Sequence, residues 1–494
     1  MSASREKKNR QNKPVVTPAE APKKGMSKAA KRAIGVVVAI VLIAVVVFFA
    51  MVSGGFFQKH TTAAVVNGHK LSPVMLNYYY VSSYQELQSY LGTMMDGETP
   101  LSEMEFSGEE FDTWEDYIID YAASVAANTY ALYDEAIANG HVLSDAGKTQ
   151  IESELNMYEI YANMYGYGSA NAMLAYQFGT GATEKSYEEF LTVKTIAAEY
   201  GSKIQSEFTY SDDEIAAYYA ENYDQFNYAT FRAFNITPAT LGEEDGEIGT
   251  KACELAAQEL VKAGEKGELD FVNYAVSLLP EDQAASYDAD TATLYEDYAF
   301  SYCSAEYRDW IADEARQEGD TTYVSNGDGG FYALYFIRHD DHSFQLPNVR
   351  HILISFTDTT SEEAKAATAE EAQNVLDEYL AGEQSEEAFA ELAKTYSNDN
   401  ADEGGLYENI APGTMVEAFD AWIYDESRQV GDTDIVETEY GHHIMYFCGY
   451  GKTYQDYEVE NAMRSADYME WSDSIIADAT HTVNESAKRY MINL

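Results

Sequence analysis

Two stretches of this chain share the pattern W-I-x-D-E-x-R-Q-x-G-D-T, and their tryptophans, Trp310 and Trp422, lie 112 residues apart. Upstream of each stretch, ATFRAFNIT resembles PNVRHILIS, and DFVNYAVSLL resembles AFAELAKTYS, both at a distance of 118 residues. An internal repeat of this length predicts two domains of the same fold, at residues 228–340 and 347–450. Chance similarity between two acidic helices is the alternative, and the length of the shared pattern argues against it.

The second copy carries two histidines that the first copy lacks. His351 lies in the predicted opening strand, VRHILI, and His443 lies in the predicted closing strand, GHHIMYF. The spacing predicts Ala233 and Phe331 at these two positions of the first copy. Adjacent strand residues point to opposite faces of a sheet, so we expect His442 to point away from His443.

The residues between the two histidines complete a recognisable pattern. Asp399 lies in YSND, Gly404 and Gly405 lie in EGGLY, and Met415 and Phe419 lie in GTMVEAF. In this order the second copy resembles the parvulin family of peptidyl-prolyl cis/trans isomerases over about 100 residues. The resemblance implies an α/β domain with an antiparallel sheet, and it implies that the first copy is a degenerate parvulin-like domain in which Tyr307 replaces Phe419.

The resemblance also implies a role for each residue. It assigns three residues to catalysis and four to substrate binding: His351, Asp399 and His443, and Met415, Phe419, Tyr407 and Tyr440 respectively. Three positions depart from the family. Tyr407 replaces a leucine, Glu417 replaces a common proline, and Tyr440 is a mild change at the aromatic position before the glycine. The first strand and first helix are joined by SFTDTTSEE, which has no basic cluster, so we expect no dependence on phosphoserine-proline.

The implied reaction needs no cofactor and no metal. The barrier to rotation about an X-Pro bond is roughly 18–20 kcal/mol because the C–N bond has partial double-bond character. An apolar slot that holds the proline ring, and a polar network that favours the twisted amide, are sufficient to lower it. Met415 and Phe419 suit the first task, and the two histidines with Asp399 suit the second.

A basic segment followed by an apolar run marks the N-terminal part of the chain. Residues 33–52 are 20 consecutive apolar residues, enough to cross a bilayer as a helix. Ten Lys and Arg residues lie in 1–32, a segment that we expect to be a disordered cytoplasmic tail. The positive-inside rule then predicts a single-pass anchor with the remaining chain outside the cell membrane. A cleaved signal peptide is the alternative, although its apolar core is normally shorter.

The charge of the chain is strongly asymmetric. Residues 53–494 contain 21 Lys and Arg against 82 Asp and Glu, a formal charge of −61. Such a surface repels phosphate, which excludes nucleic acid as a partner. It would attract basic clients, although simple solubility explains the same composition. The acidic run Glu243-Glu244-Asp245 supplies carboxylate oxygens, which are the ligands of Ca²⁺, but its spacing is not that of an EF-hand.

Cysteine is scarce in this chain. The three cysteines, Cys253, Cys303 and Cys448, are far apart in sequence and predict no disulfide framework. An extracytoplasmic protein without disulfides favours a Gram-positive-type bacterium over a eukaryotic secretory route.

The region between the anchor and the repeats is predicted to be helical. Asn67-Gly68 predicts a turn, Ser72-Pro73 predicts a helix start, and Ser211 with Glu214 forms a capping box before the first repeat. Residues 61–225 resemble the helical chaperone domain of PrsA/SurA-like foldases. That resemblance implies that residues 453–494 return to pack on it.

Many tyrosines lie in this helical region, and they include Tyr78, Tyr79, Tyr80, Tyr158, Tyr161, Tyr165 and Tyr167. Exposed tyrosines suit weak binding of unfolded segments, and ordinary helix packing is the alternative for each of them.

These features together predict an α+β protein with a transmembrane helix, a helical chaperone domain and two tandem parvulin-like domains. The predicted function is that of an anchored foldase that binds unfolded secreted chains and isomerises their X-Pro bonds. A non-catalytic holdase or scaffold that retains a residual parvulin fold is the alternative. The resemblance also leaves a homodimer open.

Overall fold

The computed structural model describes residues 28–92, 99–242, 246–280, 284, 287, 291 and 293–494. The chain divides into two units, residues 1–204 together with 470–494, and residues 205–469. The acidic run at 243–245 and most of the basic tail lie outside the described residues.

The helices and strands are numbered in chain order. The helices are α1 (Lys28–Ser53), α2 (Phe56–His60), α3 (Pro73–Leu91), α4 (Trp114–Ala138), α5 (Asp145–Tyr165), α6 (Ala170–Phe178), α7 (Glu184–Glu207), α8 (Asp212–Glu221), α9 (Glu247–Gly264), α10 (Glu268–Ser277), α11 (Arg308–Ile311), α12 (Glu362–Ala381), α13 (Glu386–Tyr396), α14 (Glu417–Ile423) and α15 (Tyr454–Ile476). The strands are β1 (Ala64–Val66), β2 (His69–Leu71), β3 (Tyr228–Ile236), β4 (Leu294–Ala299), β5 (Thr321–Ser325), β6 (Phe331–Asp340), β7 (Gln345–Ser355), β8 (Leu406–Tyr407), β9 (Thr433–Glu437), β10 (Gly441–Thr453) and β11 (His481–Val483).

The apolar run forms most of α1. Within the described part of the chain, α1 is the one helix that is long and apolar enough to cross a membrane. No part of its apolar window, Val36–Ser53, is buried against the protein. A helix of 26 residues is about 39 Å long, which exceeds the hydrocarbon thickness of a bilayer.

The first unit joins helices α2 to α7 to a small sheet in the order β11-β1-β2. Asn67 and Gly68 have φ of 49° and 86°, which confirms the predicted turn between β1 and β2. Ser72 accepts a hydrogen bond from the backbone N–H of Met75, and Pro73 is the first residue of α3, as predicted. β11 pairs antiparallel with β1, so the last strand of the chain completes the sheet that begins the unit.

The tyrosines of α3 are core residues. Tyr78, Tyr79 and Tyr80 are buried, and the ring of Tyr78 packs against Phe178 and Phe190. Helix packing is therefore the correct interpretation for these three tyrosines. The tyrosines at the end of α5 differ, since Tyr161 and Tyr165 are exposed.

The second unit contains two four-stranded antiparallel sheets, in the orders β4-β3-β6-β5 and β8-β7-β10-β9. Helix α9 packs on the first sheet, and α10 packs on it through Phe271, whose ring lies 6.0 Å from that of Tyr335. Helices α12 and α13 pack on the second sheet. The predicted capping box at the start of α8 is present, with Ser211 and Glu214 each bonded to the other's backbone N–H. The division between the two units falls inside α15, between residues 469 and 470.

Strand pairing corrects one predicted correspondence between the sheets. Val436 lies opposite His443 in the second sheet, and Val324 lies opposite Tyr332 in the first. The hairpin that joins Val324 to Tyr332 is therefore one residue longer than the hairpin that joins Val436 to His443. The prediction that Phe331 occupies the position of His443 is therefore wrong, and Tyr332 occupies it.

Candidate active site

The two histidines meet on one face of the second sheet. His443 on β10 lies opposite Leu353, and His351 on β7 lies opposite Met445, so the histidines are diagonal neighbours. Their Nδ1 atoms are 3.0 Å apart, and their rings are nearly parallel, at 19°. Both side chains are buried. A short contact between two buried nitrogens requires that one of them donates and the other accepts.

Asp399 lies at the other side of His351. Its Oδ2 is 3.2 Å from His351 Nε2, and the hydroxyl of Tyr407 donates to the same oxygen over 3.0 Å. The hydrogen bond with His351 lowers the pKa of Asp399 and outweighs the opposing effect of burial. Asp399 is therefore an ionised acceptor at neutral pH, although 43% of its side chain is exposed.

Thr438 closes the polar network beyond His443. Its hydroxyl is 2.9 Å from His443 Nε2. Burial, together with the neighbouring His351, lowers the pKa of His443 to about 4, so this ring is neutral at neutral pH.

One arrangement of protons satisfies every contact when both rings are neutral. Asp399 only accepts, so His351 Nε2 donates and His351 Nδ1 accepts. His443 Nδ1 then donates to His351, and the Thr438 hydroxyl donates to His443 Nε2. The network thus runs without a break from Tyr407 to Thr438.

An apolar wall faces this polar network across a cavity of about 400 Å³. The lining residues are His351, Leu353, Asn398, Asp399, Tyr407, Thr414, Met415, Val416, Phe419, Tyr440 and His443. All seven residues that the resemblance assigned to catalysis or substrate binding line this cavity. The ring of Phe419 stands edge-on to both histidines, at 85° and 86°, and gives the floor a fixed shape.

Gly405 allows the loop before the apolar wall to approach β7. Its φ is +68°, and a Cβ at this position would overlap the carbonyl oxygen of His351. The carbonyl of Gly405 also accepts from the backbone N–H of His351 over 2.9 Å. The residue type therefore fixes the loop that carries Asp399 and Tyr407 beside the histidines.

His442 points to the opposite face of the sheet, as its position next to His443 predicted. Its Nδ1 lies 3.3 Å from the hydroxyl of Thr368 on α12, and its ring packs edge-on against Phe356. It belongs to the packing between sheet and helix rather than to the cavity.

Thr438 is a site residue that the sequence pattern does not single out, because threonine is ordinary in a strand connection. The hairpin between β9 and β10 could have indicated it, since the chain reverses between Thr438 and His443. Four further lining residues were not predicted, namely Leu353, Asn398, Thr414 and Val416. The last three are each adjacent in sequence to a predicted residue, and Leu353 lies two residues after His351 on β7.

Residues 332–448 match the family model of the PPIC-type PPIASE domain. The chain therefore contains a parvulin-type peptidyl-prolyl isomerase domain. Foldase protein PrsA 1 of Listeria innocua is 35% identical over 99 residues, which are 20% of this chain and 28% of that protein. The putative peptidyl-prolyl cis-trans isomerase NifM of Azotobacter vinelandii is 29% identical over 118 residues, 23% of this chain and 38% of that protein.

The crystal structure of PrsA from Bacillus subtilis aligns with 76% of this chain and 93% of that chain, at 16% identity and a TM-score of 0.27. The chain spans only 28% of the length of the Listeria protein that it matches.

Proposed function

We propose that this protein is an anchored extracytoplasmic foldase, and that residues 347–450 isomerise X-Pro bonds of unfolded secreted polypeptides. The observation that carries the proposal is the cavity in which the histidine network faces the apolar wall of Met415 and Phe419. The match to the PPIC-type domain supports the same reaction.

The cavity can promote bond rotation in two ways. The planar amide is stabilised by a charge-separated resonance form, and an apolar wall that excludes water disfavours that form relative to the twisted amide. The wall also holds the proline ring while the preceding residue turns. The polar network offers fixed donors and acceptors that need no reorganisation as the amide loses its planarity. Unaided isomerisation takes about 10–100 s, which is slow enough to limit folding.

We propose further that residues 228–340 are a degenerate copy of the isomerase domain. Their sheet has the same strand arrangement. Arg232 pairs with Glu268 as Arg350 pairs with Glu386. One further feature recurs at equivalent positions: a cation–π contact joins an arginine to the tryptophan of each repeat.

The proposed degenerate copy lacks the two histidines that the second copy, residues 347–450, carries in its cavity. Ala233 and Tyr332 stand where the active copy has its histidines. The ring of Tyr332 lies 5.2 Å from that of Tyr307, so aromatic side chains occupy the region of the polar network. Residues 226–342, expressed alone, should therefore fold without isomerase activity.

The proposal includes a position at the cell membrane. It is supported by the exposed apolar helix α1 and by the basic residues that precede it. Protease added to cells without a wall should release a fragment that begins shortly after Val52. A soluble protein in the medium, with no membrane-bound form, would replace the anchor with a cleaved signal.

Exchange NMR on a short X-Pro peptide tests the isomerase activity of the full chain in detergent. Addition of the protein should broaden and merge the cis and trans signals at catalytic concentrations. A folded protein that leaves the exchange rate at its uncatalysed value would instead favour the holdase.

A further inference from the structure

Tyr407 differs from the other aromatic residues of the cavity because its hydroxyl has a partner. It lies on β8, where it pairs with Val349 of β7, and this pairing brings its ring within 5.2 Å of the His351 ring. Its hydroxyl donates to Asp399 Oδ2 over 3.0 Å. The hydroxyl of Tyr440, which lines the same cavity, makes no hydrogen bond within the described part of the chain.

Two donors therefore converge on one carboxylate oxygen. His351 Nε2 and the Tyr407 hydroxyl both lie within 3.2 Å of Asp399 Oδ2. Burial and the adjacent Asp399 raise the pKa of Tyr407 to about 12, so its phenol keeps the proton and acts as a donor at neutral pH. A carboxylate oxygen with one donor can swing about that single hydrogen bond, whereas two donors that converge on Oδ2 restrict its position.

We propose that Tyr407 is a positioning residue of the isomerase site, which holds Asp399 in place and thereby sets which nitrogens of the histidine pair carry protons. The expected effect of Tyr407 on catalysis rests on the proposed function. Its effect on the histidines follows from the geometry of the network, because each proton position is set by Asp399 as a fixed acceptor.

The exposure of Asp399 explains why the second donor matters. With 43% of its side chain exposed, the carboxylate can turn towards water once the hydroxyl is removed. His351 then loses its fixed acceptor, and either of its nitrogens can be protonated. In the hydrogen bond between the two histidines, either ring could then be the donor.

The experiment compares Tyr407→Phe with Tyr440→Phe in the full chain, with selective ¹⁵N-histidine labelling. In wild type, His351 should be protonated at Nε2 and His443 at Nδ1. The NMR signals of the two rings are assigned with the variants His351→Gln and His443→Gln. Y407F should show a mixture of tautomers at both histidines. Y440F, which also removes a cavity hydroxyl, should keep the wild-type tautomers.

Activity gives an independent measurement. Y407F should lower kcat/KM for a proline peptide by about fivefold, as expected for one lost hydrogen bond. Because the hydroxyl favours the ionised form of Asp399, its removal should also move the acid limb of the pH profile to higher pH. Y440F should keep the wild-type position of that limb, whatever its effect on the rate. Tyr407→Leu should shift the tautomers and the acid limb as Y407F does.

The outcomes separate this proposal from the proposed function. Wild-type tautomers and an unmoved acid limb in an active Y407F would overturn the role of Tyr407 and leave the isomerase intact. An inactive wild type would overturn the isomerase, while the tautomer comparison would still test Tyr407.

Discussion

His342 Nδ1 lies 2.8 Å from Glu458 Oε2, and this contact ties the connection between β6 and β7 to the helix that follows the second sheet. His342 Nε2 lies 2.9 Å from Oδ1 of Asp297, a residue of β4 in the first sheet. The buried imidazole thus bridges carboxylates from two different elements. The ring of Tyr228 stacks on it at 4.2 Å, the ring of Tyr454 lies at 4.7 Å, and Tyr228 also donates to Glu458.

The bridge predicts a loss of stability at alkaline pH. Burial alone would lower the pKa of His342, but Glu458 and Asp297 outweigh burial and raise it above its ordinary value. A raised pKa contributes stability below the unfolded value, about 6.5, and that stability disappears as pH rises through the folded value. The urea midpoint of the second unit should therefore fall as pH rises from about 6 to 9.

His342→Gln should flatten this alkaline dependence, because glutamine does not titrate. Glu458→Gln should weaken the alkaline dependence, since a neutral amide then replaces one of the two carboxylates that contact His342. An equally steep fall of the midpoint in H342Q would assign the effect to other groups.

His443 predicts the opposite behaviour in acid. Its folded pKa is lowered to about 4, so the unfolded chain binds a proton between pH 6.5 and 4 that the folded chain does not. Stability should fall over this window as the solution is acidified, by as much as ~3 kcal/mol for a shift of this size. Urea titrations at pH 6.5, 5.5 and 4.5 should show a smaller acid loss in His443→Gln than in wild type.

The two adjacent histidines of β10 should differ in their effect on catalysis. His443→Ala and Met415→Ala should each lower kcat/KM by at least about tenfold, or ~1.4 kcal/mol of transition-state stabilisation. His442→Ala should have a much smaller effect per folded molecule, since its ring contacts Phe356 and Thr368 on the other face. Equal losses from both histidines would contradict the role assigned to His443.

Two glycines with similar backbone conformations should respond differently to alanine. Gly405 and Gly413 have φ of +68° and +73°, so both substitutions introduce backbone strain of roughly 1 kcal/mol. At Gly413 the added Cβ meets open space, whereas at Gly405 it meets the backbone of His351. Gly405→Ala should therefore lower the free energy of unfolding by about 3 kcal/mol or more and reduce isomerase activity. Similar unfolding curves for the two variants would show that the loop can move aside.

Local sequence patterns predicted those features whose causes are local. The Asn67-Gly68 turn and the capping box of Ser211 and Glu214 each depend on residues within a few positions of one another. The resemblance supplied the seven cavity residues because the family keeps their order along the chain. Thr438 was not predicted because its role does not follow from its residue type. It contacts His443 only because the hairpin between β9 and β10 brings the two residues together.

The remaining differences have tertiary causes. One extra residue between β5 and β6 replaces Phe331 with Tyr332 at the histidine position, and only strand pairing reveals it. Tyr78, Tyr79 and Tyr80 are consecutive residues, so no periodicity predicts that all three are buried. Their burial depends on tertiary packing around α3, in which Tyr78 contacts Phe178 and Phe190.

The pairing of β11 with β1 has a consequence for biosynthesis. Residues 64–66 leave the ribosome more than 400 residues before their partners at 481–483. The sheet of the first unit therefore remains open while the second unit, which is continuous in sequence, can already fold. The chain would thus pass through a period during synthesis in which the strand edge of β1 that later receives β11 is unpaired.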